Sequence, residues 1–380
     1  MKALVIGSGM MGSALAYDFA HSEGVERVLL ADIDGERARL AAAGIGGGVE
    51  PHRLDTADHP SLVGLMRQVD VAVGATSYTQ NAHLASAAIE AGIHFCDLGG
   101  NMDVVYEQMK SDALAKAAGV AVLPNCGLAP GMACVIAAAG ASRFEKVDEI
   151  HIRVGGLPQN PLPPLNYQLV FSAEGLINEY LEPAAVLEDG QPRAVESMTG
   201  LERLSFPAPF ESLEAFHTSG GVSTLTQMFR GTVRSLDYKT IRYAGHCEKF
   251  KTLLDLGFAS AEPFMIGTTV RTAREIFEEM LRRKLPANGP DVVLMRVAIS
   301  GMMGGRQKTL AYEMTDRYDE SLRITSMMRT TAFPTSIIAQ MIARGDIPDR
   351  GVIPPERCVP LEPFLAELRK RNIVIHESLT

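Results

Sequence analysis

The chain has 380 residues, room for one very large domain or two ordinary ones. Hydrophobic residues make up 46% and charged residues 21%, the balance of a globular chain with a real core, which excludes wholesale disorder. The formal net charge of -9, with no long Lys/Arg run, argues against nucleic acid and anionic membrane surfaces as partners.

Lys2 to Ile6 is a continuous apolar run closed by Gly7, as expected of a strand buried on both faces of a parallel sheet. It is also too short for a signal-peptide core. Met11, Leu15 and Phe19 then recur at helical spacing, giving a helix that ends before Gly24. Arg27 to Ala31 supplies a second strand, closed by Asp32, and Val69 to Val73, Ile93 to Cys96 and Val120 to Leu123 repeat the pattern. Helices are predicted between them at Asn81 to Glu90 and Met109 to Ala118. Strands alternating with helices mean βαβ units and a parallel sheet.

From about Asp148 the texture changes to strand-rich sequence with helical inserts. Ile150 to Val154 precedes a proline-rich loop, Pro158 to Pro164. Alternating stretches follow at Tyr167 to Phe171 and Val292 to Ile299, with a helix at Thr272 to Arg283. The tail returns to helix at Pro334 to Arg344, with Ile337, Ile338 and Met341 on an apolar face. The expected division is residues 1–127 plus 330–380 for the first domain and 128–329 for a mixed α+β second domain that binds substrate. The apolar strands of the second domain, Val292 to Ile299 among them, suggest an intersubunit sheet and hence a homo-oligomer. The most apolar helical stretch, Met132 to Ala141, falls well short of the roughly 18 residues a membrane span needs. Five scattered cysteines without a Cys-x-x-Cys pair signal neither a disulfide framework nor zinc. A reduced, cytoplasmic protein without a metal is expected.

Gly7-Ser8-Gly9-Met10-Met11-Gly12 is a GxGxxG run between the first strand and the first helix. Gly7 permits the tight turn, Gly9 lets the backbone approach a pyrophosphate, and Gly12 allows close helix–strand packing. The helix start at Met10 and Met11 offers N–H groups and a positive dipole end to phosphate. Asp32 lies 20 residues beyond Gly12, where a carboxylate accepts bonds from the adenosine ribose. The fold class is thus α/β, a Rossmann doubly wound parallel sheet with a second mixed α+β domain. Asp32, with Asp34 close by and no arginine directly following, favours NAD over NADP. Thr76, Ser77 and Tyr78 follow the Val69 to Val73 strand and are placed beside the cofactor.

Several ordered blocks carry a family resemblance. Pro124 to Met132 is similar to the Gly-x-x-Pro-Gly turn linking the domains of saccharopine dehydrogenase-like enzymes. Val154-Gly155-Gly156-Leu157-Pro158, Leu165-Asn166-Tyr167, Phe171 to Leu176, Leu213 to Gly221 and Tyr238 to His246 resemble the L-lysine 6-dehydrogenase branch of that superfamily. The resemblance implies NAD-dependent oxidation of the ε-amino carbon of L-lysine to allysine, with release of ammonia and cyclisation to a piperideine carboxylate. Related enzymes act on secondary amines such as saccharopine or carboxynorspermidine, and a non-catalytic NAD-binding regulator would keep the same fold.

Hydride loss from an amine-bearing carbon needs a neutral amine, and a lysine ε-amine has a reference pKa near 10.4. A general base is therefore required, with an arginine for the α-carboxylate and a carboxylate for an amine. Asp97, before Gly99, Gly100 and Asn101, or His217, before Thr218-Ser219-Gly220-Gly221, is the candidate base. Arg242 is the candidate clamp and Glu174 the candidate amine contact. Tyr243 and His246 lie on and just beyond the same probable strand as Arg242 and Lys239.

Overall fold

In the computed structural model, which describes residues 1–287 and 289–380, the chain divides into two compact units. The first comprises Met1–Arg143, Ser223–Leu225 and Met328–Val374; the second comprises Phe144–Val222, Thr226–Met327 and Ile375–Thr380. The helix Met132–Ala141 lies in the first unit, whose first segment ends at Arg143.

The first unit is built on a seven-stranded sheet. Its strands are β1 (Lys2–Ile6), β2 (Arg27–Asp32), β3 (Glu50–Arg53), β4 (Val71–Gly74), β5 (His94–Asp97), β6 (Ala121–Leu123) and a short final strand, Gly351–Val352. The order across the sheet is Gly351–Val352, β6, β5, β4, β1, β2, β3, and every pairing is parallel. Because helices cover both faces, β1 reads as unbroken apolar sequence, with Ala3, Leu4 and Val5 fully buried. The strand order reverses between β1 and β4, so the connections there leave in opposite directions and open a crevice at the carboxyl edge. Helix α1 (Met10–Ala20) packs Ala14, Leu15, Ala16 and Phe19 inward. The stretch predicted as one helix from Met109 to Ala118 is two, Met102–Met109 and Asp112–Ala117, because the chain turns at Lys110 and Ser111. Ile337, Ile338 and Met341 of the helix Ser326–Arg344 are buried.

The second unit is a mixed sheet of nine strands with β7 (Lys146–Pro158) near its centre. The main path runs Glu202–Leu204, Leu213–His217, Ser235–Tyr243, β7, Asp291–Met303, Arg306–Arg317 and His376–Leu379. Only the pairing of Ser235–Tyr243 with β7 is parallel along this path. Residues Val292 to Ile299 are paired on both edges, with β7 on one side and Arg306–Arg317 on the other. Their backbone donors and acceptors are spent within the chain, so this strand is interior to its own sheet. Tyr167 to Phe171, expected as a strand, is a loop, buried from Tyr167 to Val170, that makes a single β-bridge among the described residues, Leu169 to Ala287, and a Gln168 amide bond to the Gly289 carbonyl. It follows Asn166, whose φ is +50° and breaks extended geometry.

Strand alternation gives this sheet two distinct faces. One face, with Phe216, meets Leu176, Ile177, Tyr180, Phe250, Phe277 and Leu281 from three helices, Ala173–Leu181, His246–Asp255 and Ala273–Lys284. The other buries Leu157, Phe206, Phe210, Leu213, Ala215, Ile241, Val292 and Leu294. Gly155 is fixed by this packing. A Cβ there would lie 2.3 Å from the Ile241 carbonyl oxygen and 2.7 Å from the Ile241 Cβ. Gly155→Ala is therefore expected to destabilise the protein by about 1–3 kcal/mol, as overpacking does. The check is a lower denaturant midpoint at unchanged m-value.

Candidate active site

The glycine-rich turn sits at the carboxyl edge of β1. Gly7 has φ +107°, and a Cβ on it would fall 2.6 Å from the Ala75 carbonyl oxygen. A Cβ on Gly12 would lie 1.8 Å from the Gly7 oxygen, so only glycine lets the helix approach the turn. Gly9 is different: nothing lies within 4 Å of the position its Cβ would take. It is the N-cap of α1, with no side chain capping the first turn. Met10 and Met11 are half-buried there. An open space above unclaimed helix N–H groups fits a pyrophosphate. Thr76 and Ser77, exposed, and Tyr78, half-buried, leave the end of β4. A Cβ on Gly100 would lie 2.7 Å from the Tyr78 Cβ, so the loops after β4 and β5 touch.

Asp32 ends β2 with its carboxylate buried and heavily engaged. Oδ2 accepts from the Ser8 N–H at 2.7 Å and the Ser8 hydroxyl at 2.9 Å, and Oδ1 from the Asp34 N–H at 3.0 Å. Arg37 Nη2 reaches both oxygens, at 2.7 and 2.8 Å. Burial opposes ionisation, but the bonds from Ser8, Asp34 and Arg37 outweigh it and hold the carboxyl below its ordinary range. The sequence shows no arginine directly after Asp32. Arg37, in the first turn of the next helix, nonetheless folds back onto it.

Asp97 ends β5 and is fully buried. Its Oδ1 accepts from the Gly99 N–H at 2.8 Å and the Asn125 N–H at 3.0 Å, and its Oδ2 from the Gln108 amide at 2.7 Å. Burial is the largest influence on its pKa and raises it. The carboxylate thus ties the loops after β5 and β6 together.

In the second unit, Arg242 is 2% exposed on the helix-covered face of the sheet. Its Nε donates to the Tyr180 hydroxyl at 2.8 Å, its Nη1 to the Ile241 carbonyl at 2.9 Å, and the guanidinium lies 4.8 Å above the Tyr167 ring. Among the described residues no carboxylate hydrogen-bonds it. His246, also 2% exposed, places Nδ1 2.9 Å from the Leu165 carbonyl and Nε2 3.1 Å from the Tyr180 hydroxyl. A carbonyl only accepts, so Nδ1 carries the proton, Nε2 accepts from Tyr180, and the phenol oxygen is left to accept from Arg242. The relay Arg242–Tyr180–His246–Leu165 fixes the guanidinium.

Glu174, the predicted amine contact, is exposed in the first turn of Ala173–Leu181. Glu179, five residues on and about 140° around the helix, faces the sheet instead. Its Oε1 accepts from the Thr240 hydroxyl at 2.7 Å and the Thr218 hydroxyl at 3.1 Å. The sequence offered a signal for it, since Leu176, Ile177 and Tyr180 mark the buried stripe of that helix and Glu179 borders it.

His217 and Tyr243 point the other way. In the register His217 lies opposite Lys239 and Glu214 opposite Arg242, so His217 and Arg242 project from opposite faces. His217 Nε2 is 3.5 Å from Asp237 Oδ2. Asp237 also accepts from His151 at 2.6 Å and Arg153 at 2.9 Å, and Lys239 pairs with Glu202 at 2.8 Å. Burial works against the Asp237 charge, but His151, His217 and Arg153 drive its pKa far below the ordinary carboxylate range. The Tyr243 hydroxyl donates to the Pro158 carbonyl at 2.9 Å. The structure therefore brings Arg242 and His246 together, and separates both from His217 and Tyr243.

Comparison with known proteins decides the family. The description "Saccharopine dehydrogenase C-terminal domain" matches residues 127–374, and "Saccharopine dehydrogenase NADP binding domain" matches residues 3–123. The chain belongs to the saccharopine dehydrogenase family. It is 19% identical over 460 residues to the mitochondrial alpha-aminoadipic semialdehyde synthase of Mus musculus, covering 100% of this chain and 48% of that protein. It is 25% identical over 283 residues to saccharopine dehydrogenase [NADP(+), L-glutamate-forming] of Pyricularia oryzae, covering 70% of this chain and 60% of that one. The chain spans about half the length of the curated relatives it matches. Apo saccharopine dehydrogenase (L-Glu forming) from Saccharomyces cerevisiae shares the fold, with TM-score 0.81 at 18% identity over 100% of this chain and 99% of that one. The homospermidine synthase of Legionella pneumophila, solved with NAD, follows at TM-score 0.70 and 12% identity, covering 100% and 91%. No helix among the described residues is long and apolar enough to cross a membrane.

The relay makes a pH-dependent prediction. Burial first, and the Arg242 charge second, push the His246 pKa down to about 3. The unfolded chain binds a proton near pH 6.5 that the folded state refuses until about pH 3, so stability is full above pH 6.5 and falls below it. The slope contributed is up to ~1.4 kcal/mol per pH unit. His246→Asn keeps a donor for the Leu165 carbonyl but does not titrate. Denaturant midpoints at several pH values are expected to show a shallower acid decline in the variant; an equal decline in both proteins counts against a neutral, buried His246.

Proposed function

We propose that the chain is an NAD-dependent dehydrogenase that removes hydride from the ε-carbon of L-lysine, giving allysine and ammonia. The observation that carries this reading is the buried Arg242 guanidinium, held by a phenol and a carbonyl with no hydrogen-bonded carboxylate among the described residues. A buried charge is ordinarily paired, and an amino acid's α-carboxylate supplies the bidentate partner that a guanidinium suits. Glu179 supplies the opposite charge for an ammonium group. Its partners are two threonine hydroxyls, which donate without neutralising it. Arg242 and Glu179 together offer one cation and one anion to the head group of a single amino acid; Glu214, opposite Arg242, is taken up by the Gly245 and Cys247 N–H groups. A secondary amine such as saccharopine brings a further carboxylate-bearing arm and would call for another cation. The family relation by itself favours such a secondary amine, as the names of the relatives indicate.

The reaction begins with loss of a proton from the ε-ammonium, because only the neutral amine's lone pair can drive hydride departure. The carbon–hydrogen electron pair then leaves with the hydrogen, and the bound nicotinamide supplies the acceptor when the dinucleotide is present. The resulting iminium takes up water and expels ammonia, and the aldehyde closes on the α-amine. Gly7, Gly9, Met10, Met11, Gly12 and Asp32 are the groups that would hold the dinucleotide, with Thr76, Ser77 and Tyr78 beside it. Arg242 and Glu179 are proposed to orient the substrate. For the base, Asp97 has the raised pKa that the task needs, but its oxygens already accept three bonds. His217, the other sequence candidate, projects from the face opposite Arg242. Glu179 faces the sheet beside Tyr180, the phenol that holds Arg242, and we assign it the amine contact proposed from sequence for Glu174.

The test is NADH formation from NAD and L-lysine, with ornithine and saccharopine in parallel. Equal amounts of NADH and ammonia from lysine are the expected result. Turnover of saccharopine with none of lysine would transfer the chain to the secondary-amine reading, and NAD binding with no turnover of any amine would point to a non-catalytic role. Glu179→Gln, nearly isosteric, is expected to lower kcat/KM for lysine by about 10- to 100-fold, the worth of a charge-assisted hydrogen bond, while Glu174→Gln leaves it within about twofold.

A further inference from the structure

The carboxylate that marks the adenosine end of the dinucleotide site is fully occupied. Its two oxygens offer about four lone-pair positions. Five contacts converge on them: the Ser8 N–H and hydroxyl and one arm of Arg37 on Oδ2, the Asp34 N–H and the same arm on Oδ1. A ribose diol cannot join this set unless a donor leaves. The Ser8 and Asp34 N–H groups are backbone, fixed by the turn, and Ser8 is 4% exposed. Arg37 is the partner free to move, since its side chain is 55% exposed while that of Asp32 is 3% exposed.

We propose that Arg37 is the residue through which this chain selects its dinucleotide, and that it admits a 2′-phosphate as well as a 2′-hydroxyl. The proposal rests on the dinucleotide reading of the glycine turn and deepens it. With a 2′-hydroxyl, the ribose diol replaces Arg37 on Asp32. With a 2′-phosphate, the displaced guanidinium turns onto the phosphate, for which its planar fork is suited. A lone aspartate would repel that phosphate, but here its charge is not alone. Arg53, exposed, stands directly opposite Asp32 in the register between β2 and β3, and its side-chain carbons pack 3.0 Å from where a Gly35 Cβ would be. The Asp34 Oδ1 is turned back into its own helix as the N-cap, accepting from the Glu36 and Arg37 N–H groups. Arg37 thus pairs with the buried carboxylate, and a second arginine stands beside it on the neighbouring strand.

The experiment is a fluorescence titration of the full chain with NADH and with NADPH, without any amine substrate. Wild type is expected to bind the two within about tenfold of each other, a difference of ~1.4 kcal/mol. Arg37→Leu is expected to weaken NADPH by about 10- to 100-fold, as loss of a charge-assisted bond does, and to leave NADH unchanged or tighter. Arg37→Lys, which keeps the charge and loses the fork, is expected to fall between them. The proposal is overturned if wild type binds NADH while NADPH is more than about 100-fold weaker, or if Arg37→Leu weakens both dinucleotides alike. Binding of neither dinucleotide would overturn it together with the glycine-turn reading. Absence of lysine turnover leaves these titrations intact, so the two readings fail separately.

Discussion

A guanidinium cannot shed its proton, so wherever Arg242 is buried the protein must hold a full positive charge away from water. The second unit is arranged around that constraint. Tyr180 lends its phenol oxygen to Arg242 because His246 takes the phenol proton, and His246 can do so because the Leu165 carbonyl fixes its tautomer. Tyr167 supplies a ring face to the same cation, and Phe216, Phe250 and Phe277 complete the apolar shell. The helix Ala173–Leu181 brings Tyr180 and Glu179 to the sheet side by side. Removing any one of these would leave the charge less well served, which explains the mass of aromatic packing on that face.

The opposite face of the same sheet solves a charge problem differently. Arg153, Lys239, His151 and His217 crowd Asp237 and Glu202, so that cation and anion neutralise each other within the chain. In that network carboxylates hydrogen-bond the cations directly, whereas Arg242 is hydrogen-bonded by a phenol and a carbonyl, with the Glu179 charge nearby but not bonded to it. Such a difference is the ground on which the binding role is proposed for the Arg242 face and not for the other, although both contain the residue types of an active centre.

Much of the first unit was legible in the sequence because each of its signals is local. Apolar runs ending in glycine become parallel strands, and the roles of Gly7 and Gly12 follow from a few adjacent residues. The second unit was less legible because its chemistry depends on which face a side chain takes. His217 and Arg242 both sit in motif-like blocks, and only the pairing of two strands shows that they diverge. Glu174 stood out within the Phe171 to Leu176 block, while Glu179 became visible only once the helix had a buried stripe. Val292 to Ile299 read correctly as strand, while its interior place is visible only in the assembled sheet. Arg37 escaped notice because the helix start that separates it from Asp32 in sequence is what folds it back.

The central claim, that Arg242 receives the α-carboxylate of the substrate, has a direct test in a chemical double-mutant cycle. The measurement is kcat/KM for L-lysine and for 1,5-diaminopentane, the same amine without the carboxylate, in wild type and Arg242→Leu. If the guanidinium and the carboxylate are partners, wild type prefers lysine by about 10- to 100-fold, and the preference collapses in the variant because the diamine loses little. Equal losses on both substrates, with the preference intact, would contradict the assignment and leave Arg242 as a structural cation.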